Sequence, residues 1–476
     1  MKKISILLFL FIFSACSENL EELNQDTKNA TAADADAFFN LAVKNMSDLI
    51  SGITYGANGN PYNITRLYVQ QISSVTYNEG TTYFSNFNWE NVYTDVLVNL
   101  DQSAEVLENS EIDPLLGEDG EAIFANREAV VEIMSVYAWR GLVESFGDLP
   151  YSEALDVEIV NPVYDDAQTV YIDLINRLDA AINNIDPSVA GFRNDIMHNG
   201  DMAKWLKFAN SMKLQMGMRI IDVQPQLGEQ LVVEAIPGVF TSNADNAAVE
   251  HLSSTPNTNE LWTDLAVGNR RDFVGAKPFI DLMLELNDPR IEVFFDPNIN
   301  GEFVGSTPGA VVTYVDFSPF GELFYQPETA VIFLDYASVE FFLAEAAERG
   351  IGSITDPEQH YNNAIRASFD WYNVEGVEEY LAQPEVAYST ADGDWRQKIG
   401  EQKWIALFNQ GLEAWTEWRR LDYPELSAPE DAFLDTVPVR MTYPIDEQNL
   451  NQANYESAAT AIGGDLMTTK LWWDVN

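Results

Sequence analysis

The sequence predicts a mostly α-helical protein. Apolar residues recur at three- and four-residue steps in many separate windows, and strand-like runs are few and short. In addition, 46% of the 476 residues are hydrophobic, enough to bury a large core. Taken alone, the length would suit two or three domains. The formal charge is −49, from 26 Lys and Arg against 75 Asp and Glu. That balance excludes nucleic acid as a partner, because phosphate backbones require clustered cations. Adhesion to anionic lipid through basic patches is disfavoured for the same reason. With 12% aromatic residues, the chain is also no acidic disordered segment.

Lys2 and Lys3 precede an apolar run from Ile4 to Phe13, broken only by Ser5, and Ser14-Ala15 leads into Cys16. The run is too short to span a bilayer, which takes ~20 residues. Residues 1–15 therefore read as a signal peptide. Small residues before the only cysteine resemble the lipobox of bacterial lipoproteins, with Phe13 where that motif usually has Leu. Cys16 is then the lipidation site and residues 16–35 a polar tether. The alternative is an ordinary secretory signal with an incidental cysteine. One cysteine in any case excludes an intramolecular disulfide. Ser17-Glu18, followed by Glu21 and Glu22, resembles the acidic export signal of surface-exposed Bacteroidetes lipoproteins.

Further along, Phe38, Phe39, Leu41, Ala42, Met46 and Leu49 fit one apolar helix face. Residues 123–146 read as a helix that stops at Gly147. The window Asp165 to Ile182 opens with an acidic turn, suited to the positive end of a helix dipole. From Asp201, Trp205, Phe208, Ala209, Met212, Met216 and Ile220 step along one stripe. Val339 to Ala347 and Gln359 to Tyr372 predict a helical pair around the Gly350–Gly352 turn. Trp404, Phe408, Leu412 and Trp415 predict another stripe. Such Trp and Met stripes are read as helix core. Strand-like runs occur at Phe303-Val304, Val311–Val315 and Ala330–Leu334, among Gly, Pro and Ser. Residues 53–63 and 76–90 are loop-like.

Chemistry-bearing motifs are scarce. The three histidines, His198, His251 and His360, have no metal-pair spacing, and neither a nucleophile elbow nor a P-loop is present. Asp296, Asn298 and Asn300 place oxygens at alternate positions, like half a calcium loop, but Thr307 stands where the bidentate Glu belongs. The competing reading is an Asn/Gly-rich turn. No cofactor is otherwise expected. A glycosidase-like carboxylate pair has no sequence signature that singles it out.

Ser145-Phe-Gly-Asp-Leu-Pro-Tyr-Ser-Glu-Ala154, Asn161-Pro-Val-Tyr-Asp165 and Gly200-Asp-Met-Ala-Lys-Trp-Leu-Lys-Phe-Ala-Asn-Ser211 resemble, in order, segments of the SusD/RagB family of nutrient-binding outer-membrane lipoproteins. Asn287–Arg290, Phe341–Ala346, Gln402–Ala406, Glu413–Arg420, Val439–Pro444 and Lys470–Asp474 continue the match to the end of the chain. Glu401-Gln402 departs from the usual Glu-Arg or Glu-Lys, which puts a scaffold ion pair there in doubt. The resemblance implies one domain over residues 36–476, with a scaffold of tetratricopeptide-like helix pairs. It also implies a loop-rich ligand lobe, drawn roughly from residues 53–90 and 236–334. It further implies a lipid-anchored lid on the cell surface, on the outer membrane. Such a lid captures an oligosaccharide or polysaccharide and passes it to a SusC/RagA-like TonB-dependent transporter, without catalysis. Peptide binding within the same family and glycoside hydrolysis are the alternatives.

Binding residues are expected in the loops. Sugar rings stack on aromatic faces, and their hydroxyls bond to Asn, Asp and Arg. The loop 76–90 carries Tyr77, Tyr83, Phe84, Phe87 and Trp89 beside Asn78, Asn86 and Asn88; 255–273 carries Trp262, Asn269, Arg270 and Arg271. A third loop carries Tyr314, Phe317, Phe320, Phe324 and Tyr325. The residues selected are Tyr83, Trp89, Trp262, Arg270, Asn88 and Tyr325, with a neutral β-glucan as the expected ligand.

Overall fold

Five of the longer helices begin on an aspartate whose carboxylate accepts backbone amide hydrogens: Asp166, Asp201, Asp335, Asp356 and Asp394. Part of the acidic excess is thus spent on helix starts, where the first amides lack partners. The computed structural model describes residues 34–54, 60–84 and 87–476. The signal peptide, Cys16, nearly all of the tether and Asn86 lie outside the described residues.

The main helices run in order as α1 (Ala35–Ser51), α2 (Val98–Glu108), α3 (Gly120–Phe146), α4 (Ala167–Asn184), α5 (Met202–Ile220) and α6 (Pro225–Ala235). They continue as α7 (Lys277–Glu285), α8 (Tyr336–Glu348), α9 (Pro357–Trp371), α10 (Trp395–Ala406) and α11 (Gly411–Leu421). Neighbours pair as α1 with α2, α3 with α4, α5 with α6, α8 with α9 and α10 with α11. The mostly α expectation and tetratricopeptide-like pairing hold. Helices α5 and α6 approach closely because Gly217 and Gly228 face each other, and a Cβ on Gly228 would lie 2.9 Å from the Gly217 carbonyl oxygen.

Several element expectations change in detail. On α1 the buried face is Phe39, Ala42, Val43, Met46 and Leu49, while Leu41 is exposed. At ~100° per residue, position 41 lies well round the helix from position 39. Helix α4 starts two residues later than predicted, because Asp165 instead pairs with Leu149 in a two-residue antiparallel ladder and accepts the Ser152 amide at 2.8 Å. The Trp404–Trp415 stripe is not one helix. It is broken at Asn409, in the left-handed region at φ +66°, which turns α10 into α11. Of the strand-like runs in 303–334, only Val331–Leu334 pairs as a strand, antiparallel to Ala247–Val249. A third ladder joins Ile72–Ser74 to Phe273–Gly275.

Helix α3 is buried on nearly all sides from Ala129 to Phe146, Arg140 and Glu144 included. Charges inside a core must be paired. Glu144 accepts from Arg219 at 3.2 Å and from the Tyr171 hydroxyl at 2.9 Å. Arg219 also reaches Glu417 at 2.6 Å and Glu413 at 3.1 Å. Glu417 in turn meets Lys403 at 2.7 Å and Arg420 at 2.8 Å, and Arg420 lies 2.5 Å from Glu345. One buried ionic network therefore ties α3, α5, α8, α10 and α11 together. The Asp288–Arg290 pair, at 2.5 Å, is a separate buried clamp. Where the sequence departed from the expected motif, Gln402 accepts from Arg290 at 3.3 Å and donates to the Tyr380 hydroxyl at 2.8 Å, so a hydrogen-bond network stands there.

Candidate functional site

The Ile72–Ser74 and Phe273–Gly275 ladder gathers four loops. Beyond it, the Val75 amide donates to the Asp272 carbonyl at 2.7 Å, and the Val312 amide to the Val75 carbonyl at 3.0 Å. Asn78 Nδ2 donates to the Gly309 carbonyl at 2.8 Å, and the Phe433 amide to the Thr82 carbonyl at 2.7 Å. Residues 75–84, 270–275, 307–317 and the segment around Phe433 are thereby laced into one surface.

Large apolar rings stand out of that surface. Tyr77 is 61% exposed, Phe84 63% and Phe433 71%, and the last two meet edge to face at 5.6 Å. The exposed Arg271 guanidinium lies 5.9 Å from the centre of the Tyr314 ring and 6.0 Å from that of Tyr325. A hydrogen bond with Tyr314 raises the Arg271 pKa further, so the cation is permanent. Exposed rings beside a planar donor group suit a ligand with apolar C–H faces and many hydroxyls.

The six selected residues divide. Tyr325 is half-buried and belongs to this surface through Arg271. Trp262 is half-buried on a short turn of helix that Asn259 caps through bonds to the Leu261 and Trp262 amides. Arg270 is committed internally: it pairs with Asp272 at 2.5 Å and donates to Thr54 Oγ1 at 2.8 Å. Its neighbour Arg271 is the outward guanidinium. Asn88 spends its Oδ1 on the Glu90 amide at 2.8 Å.

Tyr83 and Trp89 are not at the surface, contrary to expectation. Tyr83 is 1% exposed, edge-on to Tyr68 at 5.7 Å, and its hydroxyl accepts from Gln70 at 3.3 Å. Trp89 is 6% exposed and packs on Phe146, Tyr93 and Tyr443 at 4.9 to 5.9 Å. Both rings pin their loop to the scaffold, which leaves Tyr77 and Phe84 of the same loop outside. Phe433 was missed, although it is a lone aromatic in the polar segment 427–436 and met the same criterion.

The calcium candidate does not assemble. Asn298 Oδ1 accepts the amides of Asn300 at 2.9 Å and Glu302 at 3.1 Å, and Asn298 Nδ2 donates to the Asp316 carbonyl at 2.9 Å. That oxygen closes a turn through Gly301, so this donor set does not fit the ion. Among the described residues no group of three or more His, Cys, Asp or Glu side chains is placed to hold a metal. His198 and His251 are both pushed down to about 4 by burial and stay neutral near pH 7. Among the described residues no helix is long and apolar enough to cross a membrane.

The sequence profile of a SusD-like family, described as "starch-binding associating with outer membrane", matches residues 28–444. Among solved structures, a chitin-binding protein superposes with a TM-score of 0.78 at 27% identity, over 93% of this chain and 100% of that one. A chitin-binding SusD homologue from Flavobacterium johnsoniae gives 0.76 at 24% identity, over 93% and 99%. A SusD homologue from Bacteroides thetaiotaomicron gives 0.77 at 20% identity, over 94% and 100%. A search of curated proteins finds no match. With the profile matched over most of its length, this chain belongs to the SusD-like family, whose members associate with the outer membrane and bind glycans.

Proposed function

We propose that the protein is a lipid-anchored lid on the cell surface that captures a polysaccharide. It hands the glycan to a SusC/RagA-type TonB-dependent transporter and performs no catalysis. The exposed ring surface carries this reading: Tyr77, the Phe84–Phe433 pair, and Arg271 with Tyr314 and Tyr325. The ligand lobe is then the loop material of 53–90 and 236–334, extended by the segment around Phe433. Few exposed rings and one exposed guanidinium give modest affinity, which suits a protein that must release its cargo.

A neutral β-linked polysaccharide is the proposed ligand, with β-glucan first. The buried cations, Arg140, Arg219, Arg290 and Arg420 among them, are buried with partner carboxylates such as Glu144, Asp288, Glu345 and Glu417, so the large acidic excess stays on the surface. Polyanions are repelled, although salt limits the reach to ~10 Å at 0.1 M. A chitin-type β-glycan is the second reading, favoured by the chitin-binding neighbour at 27% identity.

Affinity electrophoresis of the full chain through gels containing β-glucan, chitin derivatives, starch or an anionic polysaccharide tests the proposal. Retardation by a neutral β-glycan alone is expected. Binding only to peptide digests would move the protein to the peptide alternative, and release of reducing ends would establish hydrolysis.

A further inference from the structure

Not all of the exposed apolar side chains are rings. The loop 151–163, between α3 and α4, carries Val157, Val160 and Val163, and the short helix α12 (Ile445–Leu450) carries Ile445 and Leu450. Val157 is 92% exposed, Val160 84% and Leu450 76%, and Val163 and Ile445 are exposed as well. The two segments are tied together. Asn451 Nδ2 donates to the Pro162 carbonyl at 2.9 Å, Asn454 Nδ2 to the Asn161 carbonyl at 3.1 Å, and the Tyr164 hydroxyl to Glu447 at 2.8 Å. The loop is also fixed within itself, since Glu153 accepts the Val163 amide at 3.0 Å and Asp156 the Glu158 amide at 2.9 Å. Aliphatic groups held in water on tied, ordered segments mark a surface that another molecule covers.

The surrounding charge selects what covers it. Residues 148–170 and 441–469 contain ten Asp or Glu and no Lys or Arg. Two cations from elsewhere reach these segments, and both are committed: Arg177 to Glu132 at 2.5 Å, and buried Arg440 to Asp465 at 2.7 Å. Glu158 and Asp446 stand exposed on the same two segments as the aliphatic groups. Neither segment presents an exposed aromatic ring, so the stacking faces that suit a sugar are absent here. A second copy of this chain would set acid against acid, and an anionic lipid surface is repelled for the same reason. The complementary occupant is a protein face with an aliphatic centre and a rim of Lys and Arg.

We propose that this patch docks the SusC-type transporter, through an extracellular face of that chemistry. The inference rests on the reading of the protein as a transporter's lid. It adds that docking and cargo use different side chains: aliphatic groups of 157–163 and α12 for the transporter, rings and Arg271 for the glycan. The lid then keeps its cargo while docked. A stable contact takes about 800 Å² on each partner, so the acidic rim completes what the aliphatic centre begins.

The test is sedimentation and surface plasmon resonance of the full chain with its cognate SusC-type transporter, purified in detergent. The parent is expected to form a complex. Val160→Ser/Leu450→Ser, which leaves the charge unchanged, should weaken that complex about tenfold or more. Glu158→Lys/Asp446→Lys should slow association, because it sets cation against cation. Both variants should keep the parent's thermal midpoint and its retardation by glycan. A Val160→Ser/Leu450→Ser protein that pairs as tightly as the parent would overturn the patch and leave the lid reading standing. A parent that forms no complex would overturn the lid reading, and this inference with it. Self-association of the parent that Val160→Ser/Leu450→Ser abolishes would give the patch to a second copy and also overturn the proposal.

Discussion

Arg420 and Arg271 carry the same guanidinium in opposite surroundings. Arg420 is buried between Glu345 at 2.5 Å and Glu417 at 2.8 Å, which answer its charge. Arg271 stands in water, with only the Tyr314 and Tyr325 rings for company. In the scaffold, cations and acids specify how helices meet, because an unpaired buried charge is costly. On the loops, a cation and several rings stay exposed, at little cost to stability in water. The first arrangement maintains shape; the second is available to a ligand.

Truncating the scaffold partner should have the largest effect. Arg420→Ala removes the cation shared by Glu345 and Glu417, leaving Glu345 to Arg349 and Glu417 to Arg219 and Lys403, and should cost about 3–5 kcal/mol, read as a lowered urea midpoint. Trp89→Ala should cost about 3 kcal/mol, since it empties a core site, while the protein that remains folded binds glycan normally. A loss of affinity with full stability would return Trp89 to the ligand surface.

Acid should separate the regions next. Burial alone would raise Glu417, but Arg420, Lys403 and Arg219 overcome it and hold the carboxyl well below its ordinary value of 4.5. Glu345 is likewise lowered, burial being outweighed by Arg420 and Arg349. In acid the unfolded chain binds these protons before the folded one does. Their stabilisation is therefore complete above pH 4.5 and is lost as pH falls through the lower folded values. Thermal midpoints should drop steeply below pH 4.5, and Glu417→Gln should flatten that drop from a lower starting stability. An equally steep drop in the variant would place the acid sensitivity elsewhere.

The same contrast explains what was legible in sequence. The helical core was readable because stripes such as Trp205, Phe208, Met212 and Met216 obey a fixed period. Its charged network was partly legible: Glu413, Glu417 and Arg420 lie within one segment, but their partners Arg219, Glu345 and Lys403 come from other helices. The ring surface was least legible. Within 76–90, Tyr83 and Trp89 turn inward while Tyr77 and Phe84 turn outward, and no periodicity in a loop records that choice. Arg270 and Arg271 differ likewise, because Asp272 and Thr54 engage one of them and leave its neighbour outside.

The central claim is that the exposed rings hold the glycan while the scaffold only carries them. Its most direct test is affinity electrophoresis of Tyr77→Ala/Phe84→Ala beside the parent, in a gel of whichever neutral β-glycan retards the parent. The expected stability change is within about 0.5 kcal/mol. The expected affinity loss is tenfold or more, about 1.4 kcal/mol. A folded double variant retarded as strongly as the parent would contradict the claim.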